Sequence, residues 1–244
     1  MSVDKIISDW NSDLQHSFGG KYRSYDYYKN DNFSKSNIEE AFQKNDIYTR
    51  FVQYKRSKYH NPVYVANKRD QMQADIIMFT DPLMQEASKH KYLLVVIDVY
   101  TKFSWLFPLK RILGKNIADC LQNLFTSTKP KNFTTDAGKE FLNSSVQKVF
   151  KEFNIKHYVA KSLKKASVAE RFNLTIQRLI YQLCKFHNTN DWCSYIVLKK
   201  ALAIYHNRTH RTIKMSPLAA EQSKNQTKLR KVYKEKYLKA AKKK

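Results

Sequence analysis

Between Asp75 and Asn207 the hydrophobic positions fall into short blocks of two different periods, and those blocks set out an order of strands and helices. Asp75 to Phe79 reads as a strand. Tyr92 to Val99 is apolar at nearly every position, the pattern of a central strand buried on both faces, and Phe103 to Leu109 reads as a third strand. Lys115 to Thr126 has helical spacing. Asn132 to Thr135 is a short strand that leaves through Asp136, with Gly138 able to make the turn. Ser144 to Phe153 is helical and Ile155 to Val159 is a strand. From Ala166 to His187 a stripe of Val168, Phe172, Ile176, Leu179 and Leu183 marks a long helix, and Asp191 to Asn207 gives a last one. Three strands followed by alternating helix and strand predict an α/β protein, with a mixed sheet covered by helices on both faces.

The flanks differ in texture. Residues 1–72 are polar and mixed in charge, with a Tyr-rich stretch from Tyr22 to Tyr28. The Ser36-Asn-Ile-Glu39 spacing allows a reciprocal capping box, so a small helical module is expected near residues 36–60. Tyr54 to His60 sets basic and aromatic side chains side by side, which suits either a phosphate backbone or a solvated helix face. Between Lys224 and Lys244 ten Lys or Arg stand against Glu235 alone, and Leu229, Val232, Tyr233 and Leu238 give that tail a weak apolar stripe. The expected division is an N-terminal region at 1–72 with a small helical DNA-binding module, a catalytic core at 73–222 and a Lys-rich tail at 223–244.

Charge narrows the partners. A formal net charge of +24 and a pI near 9.8 exceed what solubility needs, and a polyanion gains most from such a surface through counterion release. With only Cys120, Cys184 and Cys193 and no Cys-x-x-Cys pair, neither a disulfide framework nor a cysteine zinc site is expected. The N-terminus lacks the apolar core of a signal peptide, and Tyr92 to Ile97 is too short to span a bilayer. A soluble intracellular protein without a membrane partner is the expectation. No nucleotide-binding Gly-rich loop is present, so ATP is not implied.

The candidate chemistry lies in three carboxylates: Asp75 in Gln-Ala-Asp-Ile-Ile, Asp136 in Phe-Thr-Thr-Asp-Ala-Gly-Lys-Glu-Phe, and Glu170 in Lys-Ala-Ser-Val-Ala-Glu-Arg-Phe-Asn. Attack of a hydroxyl on a phosphodiester needs a deprotonated nucleophile, neutralised charge on phosphorus and a stabilised leaving oxyanion. Two Mg²⁺ ions about 4 Å apart supply all three, and such hard cations take carboxylate oxygens. Each residue also has a plainer reading. An Asp at a strand end is commonly a turn or cap residue, and Ser167-Val-Ala-Glu170 is itself a capping-box spacing. Asp98 closes its strand, and the following Tyr-Thr-Lys suits a hairpin turn. Around the carboxylates, Lys161, Lys164 and Lys165 either hold phosphate oxygens of a DNA end or form a solvated loop. Arg171 and Arg178 share a helix face that either meets DNA or supports the ligands, and Asn173 lies one turn from Glu170. His206, Asn207, Arg208 and His210 form a cluster after the last helix, for which buried hydrogen bonding is favoured over metal ligation.

From about Gln73 to Ala220 the chain resembles the catalytic core of the retroviral integrase (DDE) superfamily, most closely the integrases of Maverick/Polinton transposons and virophage-like elements. The resemblance is carried by Tyr92-Leu-Leu-Val-Val-Ile-Asp-Val-Tyr-Thr-Lys-Phe-Ser-Trp105, Thr135-Asp-Ala-Gly-Lys-Glu-Phe-Leu-Asn143, Lys165-Ala-Ser-Val-Ala-Glu-Arg-Phe-Asn173, and Tyr205-His-Asn-Arg-Thr-His210 followed by Ser216-Pro217. It implies an RNase H-like fold with a five-stranded sheet, and places Asp75, Asp136 and Glu170 at the family's metal-binding positions for two Mg²⁺ ions, or Mn²⁺. It further implies 3′-end processing and strand transfer between double-stranded element ends and target DNA, by a homo-oligomer on DNA in a host nucleus or at a viral replication site. The family's zinc-binding His/His/Cys/Cys module is absent here. A chromodomain-like C-terminal module is replaced by lysines, which raises the expectation of a truncated or split product. The rival readings are a domesticated DNA-binding protein without activity, and an RNase H-fold nuclease that hydrolyses without joining.

Overall fold

Alternation along one strand sets up the whole sheet. In the computed structural model β1 (Gln71–Met78) turns Gln73, Asp75 and Ile77 to one face and Met72, Ala74 and Ile76 to the other. β1 pairs antiparallel with β2 (Tyr92–Asp98), Asp75 opposite Val95, and parallel with β4 (Asn132–Thr135), Gln73 opposite Thr134. β3 (Ser104–Leu109) and β5 (Lys156–Val159) complete a five-stranded sheet in the order β3-β2-β1-β4-β5. The central strand is therefore β1, not the Tyr92 run, which lies beside it. β2 is apolar throughout because helices cover both faces: Leu93, Val95 and Ile97 join one core cluster and Leu94 and Val96 the other. β1 begins four residues before the expected Asp75, so Asp75 sits in mid-strand.

The structure describes residues 3–12, 21–31, 33–51, 65–160 and 167–241. The chain divides into two compact units, Met1–His60 and Asn61–Lys244, so residues 65–72 group with the sheet. The first unit contains α1 (Val3–Ser12), α2 (Lys21–Tyr27), α3 (Lys35–Lys44) and α4 (Asp46–Phe51) around Ile6, Trp10, Tyr28, Ile38 and Phe42. A capping box does open α3, but Ser34 and Asn37 make it, two residues before the Ser36 expected from spacing: Asn37 N–H donates to Ser34 Oγ (3.2 Å) and Ser34 N–H to Asn37 Oδ1 (3.1 Å). The basic and aromatic run Tyr54 to His60 lies outside the described residues.

In the second unit α5 (Pro82–Ser88) follows β1. Asp81 caps it by accepting from Leu83 and Met84 N–H, which accounts for that carboxylate. The helices α6 (Gly114–Ser127), α7 (Lys139–Leu142) and α8 (Ser144–Glu152) cover one sheet face; α9 (Ser167–Phe186) and α10 (Tyr195–Asn207) cover the other. After α11 (Pro217–Glu221) and a 3-10 turn comes α12 (Gln226–Ala241), the last element among the described residues. No helix among the described residues is long and apolar enough to cross a membrane.

Two features at the C-terminal side change the picture drawn from sequence. By sequence, residues 223–244 are a Lys-rich tail outside the catalytic core, either a helix or arm held to phosphates or acidic partners or a solvated terminus. Instead α12 buries Leu229 and Tyr233 against Val65, Tyr100 and Ile213, and the Tyr233 hydroxyl reaches the carbonyls of Tyr100 (2.8 Å) and Val99 (3.2 Å). A helix with so many lysines still packs because one apolar stripe points inward. The second feature is an ion network centred on the buried Asp98. Asp98 Oδ1 accepts from Tyr100 and Thr101 N–H, forming the expected turn, while Oδ2 accepts from Arg69 N–H (2.7 Å) and faces the Arg69 guanidinium (3.3 Å). Arg69 in turn grips Glu221 with both nitrogens, at 3.0 and 2.7 Å. This network ties the start of β1, the end of β2 and α11 together.

Of the His206–His210 cluster only His206, on the last turn of α10, is buried; Asn207 and Arg208 are exposed because they leave the helix on its solvent side. His206 Nε2 accepts from Ser104 N–H (3.2 Å) and its ring stacks on Phe103. Burial pulls its pKa from 6.5 down to about 4.

Replacing Asp98 by Asn takes one of two carboxylates from the part-buried Arg69 guanidinium, and is expected to cost about 1–3 kcal/mol in urea denaturation. An unchanged midpoint would remove the network from the account of the fold. For His206 the unfolded chain binds the proton first, so stability present above about pH 6.5 is lost as pH falls towards about 4. The urea midpoint is expected to fall more steeply over that window in the wild type than in His206→Gln. Parallel curves would mean that the ring is not buried in its neutral form.

Candidate active site

Asp75 comes from the middle of β1, on the face covered by α9, and is half-buried. Its Oδ1 accepts from Ile76 N–H (2.9 Å) and its Oδ2 from Asn173 Nδ2 (2.8 Å). Burial pushes the Asp75 carboxyl above the usual carboxylate range, and the charges of Asp136 and Glu170 push it the same way against those two hydrogen bonds. The three carboxylates thus share one electrostatic neighbourhood, although β1, β4 and α9 are far apart in sequence.

Asp136 leaves β4, the parallel neighbour of β1. Its Oδ1 accepts from Gly138 N–H (3.1 Å), and the Glu140 carboxylate lies over the Gly138 Cα. A chain of hydrogen bonds holds the backbone at this point. Gln147 Nε2 donates to Phe141 C=O (2.8 Å) and faces His157 Nδ1 (3.1 Å), which leaves the ring proton on Nε2, 3.0 Å from Thr135 Oγ1. Thr135 in turn donates to Asp136 C=O (2.8 Å). Burial lowers the His157 pKa and so favours this neutral ring. His157, Gln147 and Thr135 escaped the sequence reading, since only spatial contact links them to Asp136.

Glu170 lies in the first turn of α9. The start of that helix is held by a residue of the sheet: Gln73 Oε1 accepts from both Val168 N–H (3.0 Å) and Ala169 N–H (3.2 Å). Gln73 and Asp75 are successive residues on the same face of β1, so one strand sets both the position of Asp75 and the place where the Glu170 helix begins. Gln73 thereby takes up N–H groups at the start of this helix, the job that the Ser167–Glu170 capping reading assigned to local side chains.

Consecutive helical residues point about 100° apart, so α9 separates its charges. Glu170 and Asn173 lie on the flank towards Asp75. Arg171, Thr175 and Arg178 lie on the other flank, where Arg208 borders the same groove. Lys161, Lys164 and Lys165 lie outside the described residues.

The donor chemistry suits a hard divalent cation: carboxylate oxygens only, with Asp75 penalised for carrying its charge in a partly buried place. Among the described residues no three His, Cys, Asp or Glu are drawn tightly enough together to cage a metal ion. The carboxylates face one region without closing on it, and one Asp75 oxygen is taken by Asn173.

Comparison with known proteins agrees with this architecture. Residues 67–164 match the integrase core domain, a segment that holds Asp75 and Asp136 and ends before Glu170. A transposon-derived protein of Caenorhabditis elegans is 29% identical over 133 residues, covering 53% of this chain and 46% of that protein. The chain thus spans about half the length of that relative. The magnesium complex of the HTLV-2 integrase catalytic core domain, in a trimeric form, superposes with a TM-score of 0.52 at 19% identity, over 63% of this chain and 97% of that one. The five-stranded mixed sheet flanked by helices is RNase H-like, the fold of an integrase catalytic core, and residues 67–164 are similar to the integrase core domain.

Gln73→Leu would leave the two N–H groups at the start of α9 without their partner. It is expected to cost about 1–3 kcal/mol in chemical denaturation. No loss would mean that Ser167 can take over as the cap.

Proposed function

We propose that this protein is a DNA integrase of a mobile or viral element, processing element 3′-ends and joining them to target DNA. The observation that carries the reading is that the charges of Asp136 and Glu170 both act on the half-buried Asp75 carboxyl, although the three residues come from separate parts of the chain. Support also comes from the integrase core match and from the transposon-derived relative.

Asp75, Asp136 and Glu170 would hold Mg²⁺, which supplies Lewis-acid stabilisation of the phosphoryl oxygens and of the attacking and leaving oxygens. The protein's own part is positioning. Gln73 sets the start of the Glu170 helix, Asn173 orients Asp75, and the Gln147–His157–Thr135 chain holds the backbone at Asp136. In the joining step the 3′-hydroxyl of the element end gives up its proton to solvent and forms a bond to a target phosphorus. The bond from that phosphorus to the target's 3′-oxygen breaks, and this oxygen takes up a proton. No covalent protein intermediate is needed, so no Ser, Cys or Tyr nucleophile is sought.

DNA is the partner that matches a net charge of +24. Lys161, Lys164, Lys165, Arg171 and Arg178 are the side chains assigned to its phosphates, and a homo-oligomer on DNA is the expected working form. A strand-transfer assay with labelled element ends tests the reading. Asp75→Asn, Asp136→Asn and Glu170→Gln are each expected to lower joining roughly a thousandfold or more, while DNA binding and the unfolding midpoint stay close to wild type. Cleaved ends without joined products would instead favour a nuclease of the same fold, and full activity of Glu170→Gln would remove that residue from the site.

A further inference from the structure

On the Arg171 flank of α9 the structure opens into a cavity of about 420 Å³. Five cationic side chains line it: Lys102 from the turn between β2 and β3, Arg171 from α9, Arg208 and Arg211 from the segment after α10, and Lys236 from α12. No Asp or Glu is among the lining residues. Four separate parts of the chain thus bring like charges to one concavity, the reverse of what mutual repulsion favours.

Lys102 makes the feature more than a solvated basic surface. It is 6% exposed, and its ammonium donates to Val99 C=O. The acid that acts on it is Asp98, whose oxygens are already engaged by Arg69, Tyr100 and Thr101. Burial, then the charge of Lys236, and to a lesser extent that of Arg171, draw its pKa down to about 7 against the pull of Asp98. A desolvated ammonium facing other cations is costly, and an anion in the cavity would offset that cost. Thr209 and Thr212 add hydroxyl groups to the same wall, and His210, pulled down to about 4 chiefly by burial, stays neutral there. The space corresponds to about fourteen water volumes at roughly 30 Å³ each, enough for one or two phosphoryl groups with residual water.

We infer that this cavity is a phosphoryl-binding site, distinct from the three carboxylates and turned away from them by the α9 helix. The phosphoryl group comes either from a DNA strand passing this flank or from a free phosphorylated molecule. The inference stands on the cavity alone and does not require the chain to join DNA.

The test is calorimetric titration of the full chain with sodium pyrophosphate, against sodium chloride of equal ionic strength. Arg211→Gln and Lys236→Gln change exposed rim side chains and spare the fold; Lys102→Met probes the buried one, with near-ultraviolet circular dichroism to confirm packing. Saturable binding is expected in the wild type and should weaken roughly tenfold or more in each variant. Control variants Lys148→Gln and Lys151→Gln, on exposed positions of α8 across the sheet, should leave it unchanged. A second arm adds a saturating DNA duplex. Loss of pyrophosphate binding, with weaker duplex binding in the pocket variants, identifies a DNA phosphate as the natural occupant; undiminished pyrophosphate binding identifies a free phosphorylated molecule. No saturable binding beyond chloride, or equal weakening by the α8 controls, would overturn the inference. Absence of strand transfer would leave these readouts untouched.

Discussion

The clamp between Gln73 and the first N–H groups of α9 is the constraint on which the site depends. A helix start carries orphan N–H donors that must be satisfied somewhere, and here a side chain of the central strand satisfies two of them. The consequence is geometric. Since Asp75 is the next residue on the same face of β1, the distance along one strand fixes where Glu170 stands relative to it. The hydrogen bond from Asn173 to Asp75 adds a second tie one turn further along the helix. Asp136 reaches the same region because β4 runs parallel to β1 and ends there.

Holding three carboxylates in one neighbourhood works against their mutual repulsion, and the surrounding structure bears that cost. On the other face of the sheet the cluster around Phe125, Phe133, Phe141 and Phe150 anchors β4, while the Arg69–Asp98–Glu221 network closes the beginning of β1. The α9 helix then acts as a divider. Its acidic side faces Asp75 and its basic side faces a cavity lined by cations, so opposite fields stand on either flank of a single helix.

Much of this arrangement was legible in the sequence, and for identifiable reasons. β4 was read at its observed limits, because Asn132 to Thr135 is bounded by Asp136 and Gly138, and the stripe from Val168 to Leu183 gave α9 within a residue or so at either end. The beginning of β1 was hidden because Gln71 and Gln73 are polar, although they pair in the sheet; Gln73 is buried to reach a helix 95 residues away. The same distance concealed its capping role. The packing of α12 was masked by its lysines, since Leu229 and Tyr233 make only a thin stripe. His157 carried no local signal, as its meaning lies in contacts with Thr135 and Gln147.

The claim most central to the account is that Asp75, Asp136 and Glu170 act together as a site for a divalent cation. Titration of the full chain with Mn²⁺, followed by the relaxation of water protons, measures that directly and without any DNA. The account predicts saturable binding that Asp75→Asn, Asp136→Asn and Glu170→Gln each weaken strongly, while Asp81→Asn, a change at a helix cap, leaves it intact. Equal Mn²⁺ binding in the wild type and all three site variants would contradict it.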